Sequence, residues 1–418
     1  MRVDPRLMGG VLLLLSVSAF AGDWSQFRGP GGLGVSDEKN LPATWSDTEN
    51  LVWKLDLPGP GSSSPIVWGD RVFVTCYTGY GLDENNPGEQ ENLKRHLLCV
   101  DRKTGKTLWD KEVAAKLPEP EFSSFQALHG YASSTPATDG ERVFVFYGKS
   151  GVLAYDFAGQ ELWRADVGDK DFYWGVGASP LLYKNFVIVN AAVESGSLVA
   201  LDRQTGKEQW KTVGLRGCWG TPVLVDVPGG KPEIVLSQPN TVKGFDPDSG
   251  DELWKCDGIK ESYLCPTIVA KDGVVYTIGA RDATSLAVKA GGKGDVSATH
   301  FVWTKRGGSN VTSPAIFGEH LYWVSDQGVA FCLKADSGEQ VYQQRLRGGV
   351  YSSVAIADGK IYVVSQKNGT YVLALGPKFE QLANNRLADE STFNASPAIS
   401  QGQLFLRSDK RLYCIGKK

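Results

Sequence analysis

Four histidines and seven cysteines are the residues of this 418-residue chain best suited to metal or redox chemistry, and their spacing argues against both. His96, His129, His300 and His320 are dispersed, and Cys76, Cys99, Cys218, Cys256, Cys265, Cys332 and Cys414 show none of the paired spacing a structural zinc site needs. No metal site is expected. An odd number of cysteines leaves at least one thiol unpaired, and Cys76–Cys99 is the pair expected if a disulfide forms. Gly291-Gly292-Lys293-Gly294-Asp295 has the look of a phosphate loop but lacks its full spacing, so it reads as a flexible turn. Arg281 beside Asp282 has the chemistry to clamp an anion or to pair across a surface hairpin. Trp174 and Trp219 offer flat faces to a planar ligand or peptide, or to a wide molecular axis. His129, Tyr131 and Tyr351 join them as candidate binding residues, because all five fall just ahead of short strands that recur along the chain.

Those strands belong to a repeat. Ser64-Pro65, Thr135-Pro136, Ser179-Pro180, Thr221-Pro222, Cys265-Pro266, Ser313-Pro314, Ser353-Val354 and Ser396-Pro397 each open a unit. The period is roughly forty residues after a longer first unit, which is the signature of propeller blades. Within a unit, alternating stretches such as Arg71-Val72-Phe73-Val74 and Lys360-Ile361-Tyr362-Val363-Val364 read as short twisted strands. An Asp-x-x-Thr-Gly turn follows, as at Asp101–Gly105 and Asp202–Gly206, where Gly takes the positive φ of a tight hairpin. Trp109, Trp163, Trp210 and Trp254 close their units and are expected to be buried at equivalent blade junctions. The eighth unit ends at Cys414 without an outer strand, whereas Leu51-Val52-Trp53-Lys54-Leu55 is an outer strand without a unit. The N-terminal strand is therefore expected to complete the last blade, giving an all-β, eight-bladed propeller over residues 50–418.

Residues 1–21 read as a signal peptide: Arg2 and Arg6, an apolar run from Val11 to Leu15, and small residues at Ala19 and Ala21 before the expected cleavage. Residues 22–49 form an arm between it and the propeller. No stretch is long enough to span a bilayer, and a formal charge of −3 gives no basis for nucleic-acid binding. Export to the periplasm or the exterior follows, as a monomer.

The pattern Ala/Cys-x-Asp-x-x-Thr-Gly-x-x-x-Trp, met closely at residues 99–109 and 200–210 and loosely at 244–254 and 332–342, resembles the tryptophan-docking motif of the pyrroloquinoline quinone (PQQ) propellers. That family includes quinoprotein alcohol dehydrogenases and the propeller lipoprotein of the outer-membrane β-barrel assembly machine. The resemblance covers residues 50–415. It implies the propeller fold and, at its enzymatic end, PQQ held with calcium. Two departures weigh against the enzymes: no two cysteines are adjacent, and the large insertions that roof a cofactor chamber are missing. Two long insertions, 78–94 and 114–128, fall instead on the face where the inner strands begin, which makes that face the expected binding surface for a protein or extended ligand. The leading reading is a non-catalytic scaffold requiring no cofactor; a PQQ-dependent alcohol or sugar dehydrogenase is the alternative, and a polysaccharide-active enzyme the third.

Overall fold

In a computed structural model, residues 22–279 and 283–417 are described; the expected signal peptide and Arg281 lie outside them. Strand follows strand because each unit alternates β-branched or aromatic residues with polar ones and ends in a glycine turn. Blade 1 shows the plan: Ile66–Trp68, Arg71–Thr78, Lys94–Asp101 and Thr107–Ala114 form one antiparallel sheet, ordered from axis to rim. Blades 2 to 7 follow at residues 137–165, 181–213, 223–257, 269–306, 315–345 and 355–385. Blade 8 combines Ala398–Ser400, Gln403–Arg407 and Arg411–Ile415 with Leu51–Asp56, which pairs Trp53 with Cys414 and Lys54 with Tyr413. The N-terminal strand thus closes the ring, as the unit count predicts, and no edge is left where the chain begins and ends.

Between blades the core is built from aromatic rings lying on glycines. Trp53 donates its indole N–H to the Arg102 carbonyl at 2.7 Å and covers Gly105, where a Cβ would fall 2.6 Å from the ring. A side chain there would collide, and φ is +70°, so the turn admits only glycine. Trp109 repeats the contact with the Phe157 carbonyl and Gly159, and Trp163 with the Arg203 carbonyl and Gly206. Burial is less even than the repeat suggests: Trp163 and Trp254 are buried, but Trp109 and Trp210 are only partly so. Trp210 covers Gly250 while its N–H finds no partner.

Trp254 departs from the series. Its N–H donates to the Glu233 carboxylate of its own blade at 2.6 Å. The reason is the Gly291–Asp295 segment, which is no loose turn. Gly294–Asp295 adds a fifth, parallel strand to blade 4, opposite Trp254 and Lys255, and Gly291 N–H shares the same carboxylate. Trp303, overlooked in the repeat, docks instead at the next junction, on the Ala335 carbonyl and Gly338. The unit marker in blade 5 also shifts: Thr267, not Cys265, occupies the position that Ser or Thr holds elsewhere. The expected Cys76–Cys99 bridge fails on register. Cys76 lies opposite His96 and Cys99 opposite Phe73, a three-residue offset that sends the side chains to opposite faces. All seven thiols are free.

The arm ahead of the propeller packs on the end of the molecule opposite the insertions. Trp24 bridges Val67, the Ser25 carbonyl accepts the Thr138 N–H, and Val35 bridges Ile356. On the way the fully buried Arg28 donates to the Leu33 and Pro314 carbonyls. Burial lowers its pKa to about 9. The arm therefore crosses the bore from blades 1 and 2 to blades 6 and 7.

Candidate functional site

The first residue of each repeat marker builds a belt around the axis. The backbone N–H of Ser64 donates to the Thr135 hydroxyl, Thr135 to Ser179, Ser179 to Thr221, and Thr221 to Thr267. Thr267 continues to Ser313, Ser313 to Ser353, Ser353 to Ser396, and Ser396 returns to Ser64. Eight bonds of 2.9–3.1 Å thus form a closed circuit, one per blade. Each hydroxyl oxygen satisfies a buried amide that would otherwise be stranded at the axis. This is why a small hydroxyl residue recurs at that position.

Above the belt the bore widens into a cup. Its floor is Phe27 of the crossing arm, and Ser64, Thr267, Ser313, Ser353 and Ser396 reach its wall. Phe125, His129, Trp174, Trp219, Tyr263, Asn310, Tyr351 and Asn394 line it further. The cavity measures about 140 Å³. No Asp, Glu, Lys or Arg is among its described lining residues.

The cup brings together four of the six residues expected to bind: His129, Trp174, Trp219 and Tyr351. His129 Nδ1 lies 2.7 Å from the Ser133 hydroxyl, and burial depresses its pKa to about 4, so the ring is neutral at pH 7. Trp174 stands at the centre of an aromatic cluster, with ring centroids 4.4 Å from Tyr263 and 5.3 Å from Trp219, Phe125 and Phe172. The Trp219 N–H is fixed on the Gly175 carbonyl at 2.8 Å, whereas that of Trp174 is buried without a partner. Burial also raises the Tyr351 phenol. Tyr131 is placed elsewhere. It sits under the insertions, edge-on to Tyr77 at 5.3 Å, with its hydroxyl on the Pro120 carbonyl.

The two insertions leave from the same end of blade 1, where Thr78, Lys94 and Ala114 pair across three strands. They brace each other: Gln90 exchanges two hydrogen bonds with the backbone of Glu119. The Glu119 carboxylate in turn accepts from buried Arg95 at 2.8 Å, and Lys149 pairs with Asp171 at 2.6 Å. Glu194 is buried beside this network with one carboxylate oxygen unpartnered, and burial raises its pKa to about 8. At the root of the first insertion, His96 sits between the Asp110 carboxylate (3.0 Å) and the Thr78 hydroxyl (2.8 Å). The order resembles a catalytic relay, but none of the three residues lines the cup, and together they cross-link three neighbouring strands. No group of three or more potential metal ligands occurs among the described residues.

Sequence reading passes over the belt and Phe27. The belt had a visible signal, a hydroxyl residue opening nearly every unit; the role of Phe27 had none.

An eight-bladed ring with glycine-docked tryptophans defines the class of PQQ-type propellers. The sequence profile of the family described as outer membrane protein assembly factor BamB matches residues 90–217 and 238–377, and the chain belongs to that family. It is similar to the assembly factor BamB of Burkholderia pseudomallei (21% identity, over 77% of this chain and 86% of that protein). A polyvinylalcohol dehydrogenase of a Pseudomonas species is 25% identical over 43% of this chain, which spans only 28% of that enzyme. Among solved structures, BamB from Moraxella catarrhalis superposes with a TM-score of 0.61 at 13% identity, covering 88% of this chain and 97% of that one. A quinohemoprotein alcohol dehydrogenase from Comamonas testosteroni gives 0.67 at 11% identity, covering 95% and 81%. At these identities the structures speak to the fold alone, and the fold serves scaffolds and enzymes alike.

Proposed function

We propose that the protein is an exported, non-catalytic scaffold that holds a protein segment on its insertion face, as an assembly factor does. The observation that carries this is the crown of exposed apolar side chains around the cup. Phe125 is 39% exposed, Leu128 49%, Phe172 37% and Tyr173 60%, side chains that a soluble surface usually covers when they cluster. Braced insertions beside them supply a polar rim, the usual composition of a docking surface. Likeness to the BamB proteins supports the same reading, and with it a periplasmic location. No described helix is long and apolar enough to cross a membrane.

The quinoprotein alternative meets a cup that does not suit it. PQQ is a tricyclic tricarboxylate, and its calcium partner takes six to eight oxygen ligands that usually include carboxylates. The described lining offers neither a cation for the carboxylates nor a carboxylate for calcium.

The test places a photo-crosslinking amino acid at Tyr173 or at Phe317, an exposed residue on the end opposite the insertions. Discrete protein adducts are expected in cells from position 173 and not from 317. Equal labelling at both, or none at 173, refutes the docking face. Quinone-dependent dye reduction after reconstitution with PQQ and calcium refutes the non-catalytic reading.

A further inference from the structure

The cup itself is left unexplained by a partner that docks on the crown, and its chemistry is specific. An engineered cavity of about 150 Å³ takes up benzene, so about 140 Å³ seats a six-membered ring, and the substituents of a larger ligand must reach out of the cup toward the insertion face. The absence of charge among the described lining residues disfavours an ion, which would lose its hydration without a counter-charge. Two features then select among neutral rings. The wall carries indole and phenol faces, with Trp174 and Tyr263 at a 68° angle, so a ring can lie on one and abut the other. Below them Thr267, Ser313, Ser353 and Ser396 of the belt line the cup, and since their oxygens already accept backbone N–H groups, the O–H is what each has left to donate. A purely hydrocarbon ring would strip water from those hydroxyls and return nothing. A ring with one apolar face and hydroxyls at its edge satisfies both.

We propose that the axial cup is a binding site for a neutral pyranose ring, lying against Trp174 with its hydroxyls toward the Ser and Thr belt. Phe27 makes the cup blind, so a single sugar unit enters from the insertion face and does not pass through. The inference goes beyond the docking reading: the crown can bind protein with the cup empty, and the two are tested by different experiments.

Methyl β-D-glucopyranoside is the probe, with glucuronate as the charged control and p-cresol as the aromatic one. Binding is read by tryptophan fluorescence and by saturation-transfer NMR on the full-length protein. A twelve- to thirteen-atom ligand of ordinary efficiency gives an affinity on the order of millimolar. Trp174→Ala is expected to weaken it about tenfold through the lost stacking face, and Phe317→Ala, on the far end, to leave it unchanged. Asn310→Leu at the mouth serves as a second variant if Trp174→Ala does not fold. The proposal is overturned if the glucoside does not bind, if glucuronate or p-cresol binds as well or better, or if neither cup variant weakens binding.

Discussion

Glu194 gives the most direct check on the buried network under the insertions. Its side chain is buried and one oxygen lacks a partner; burial above all, with the nearby Glu119 charge adding to it and Arg95 opposing, raises the pKa from 4.5 to about 8. Between those values the folded protein keeps a proton that the unfolded chain releases. Stability contributed by the neutral carboxyl is therefore complete below pH 4.5 and declines as pH rises toward 8, beyond which both states are ionised. A shift of that size at 1.36 kcal/mol per unit amounts to about 5 kcal/mol across the window. Glu194→Gln keeps the shape and removes the proton. In urea unfolding at a series of pH values from 4 to 9, the variant and the native protein should match at the acid end. The variant should then become progressively more stable, by about 3–5 kcal/mol at pH 8. Parallel curves from pH 5 to 9 would show that the carboxylate ionises freely in the fold, and the argument from burial would fail.

Ser353→Ala removes the acceptor for the Ser313 N–H and breaks the belt at one link, which should cost about 1–3 kcal/mol in denaturant unfolding. Trp163→Ala should cost about 3–5 kcal/mol, since a ring docked on Gly206 is lost from the core; Trp210→Ala, where the ring is only partly buried and its N–H lacks a partner, should cost clearly less by the same measurement. Deleting residues 22–56 takes away the outer strand of blade 8 and the floor of the cup, so size-exclusion chromatography should show association through the freed edge. Alkylation of the native protein followed by denaturation and a second label should find every cysteine reactive as a thiol, and a mass loss corresponding to a Cys76–Cys99 bridge would contradict the register of blade 1.

Much of the architecture is written locally. Hydrophobic alternation, the Asp-x-x-Thr-Gly turns and the spare strand around Trp53 each act through neighbours in sequence or through an obvious deficit, so the ring and its closure can be read directly. What stays hidden depends on contacts between distant segments. Nothing about Trp254 reveals that residues 291–295 will lie along its strand and leave Glu233 as its acceptor, nor does the Trp24–Pro30 stretch disclose that it threads the bore. In the cup, His129, Trp174, Trp219 and Tyr351 are legible because the start of every inner strand faces the axis. Tyr131, only two residues from His129, turns to the opposite side because its hydroxyl is captured by the second insertion. In blade 5, Pro266 imitates the repeat marker two residues early, and only the hydrogen-bond circuit identifies Thr267 as its true counterpart.

The strand that closes blade 8 also sets the order of events when the chain folds. Leu51 and Ile415 are register partners, yet about 360 positions separate them, and bringing such distant segments together carries a loop-closure cost of about 5 kcal/mol. The four main strands of every other blade arrive in chain order, and only the short fifth strand of blade 4 comes late, between the third and fourth strands of blade 5. The first strand to emerge must wait, unpaired, for the last. Until then seven sheets stand in an open arc, with the bore unsealed and two edges free to find the wrong partner. The final pairing is thus the step that seals the ring, and a chain that emerges N-terminus first reaches it only when its last strand has arrived.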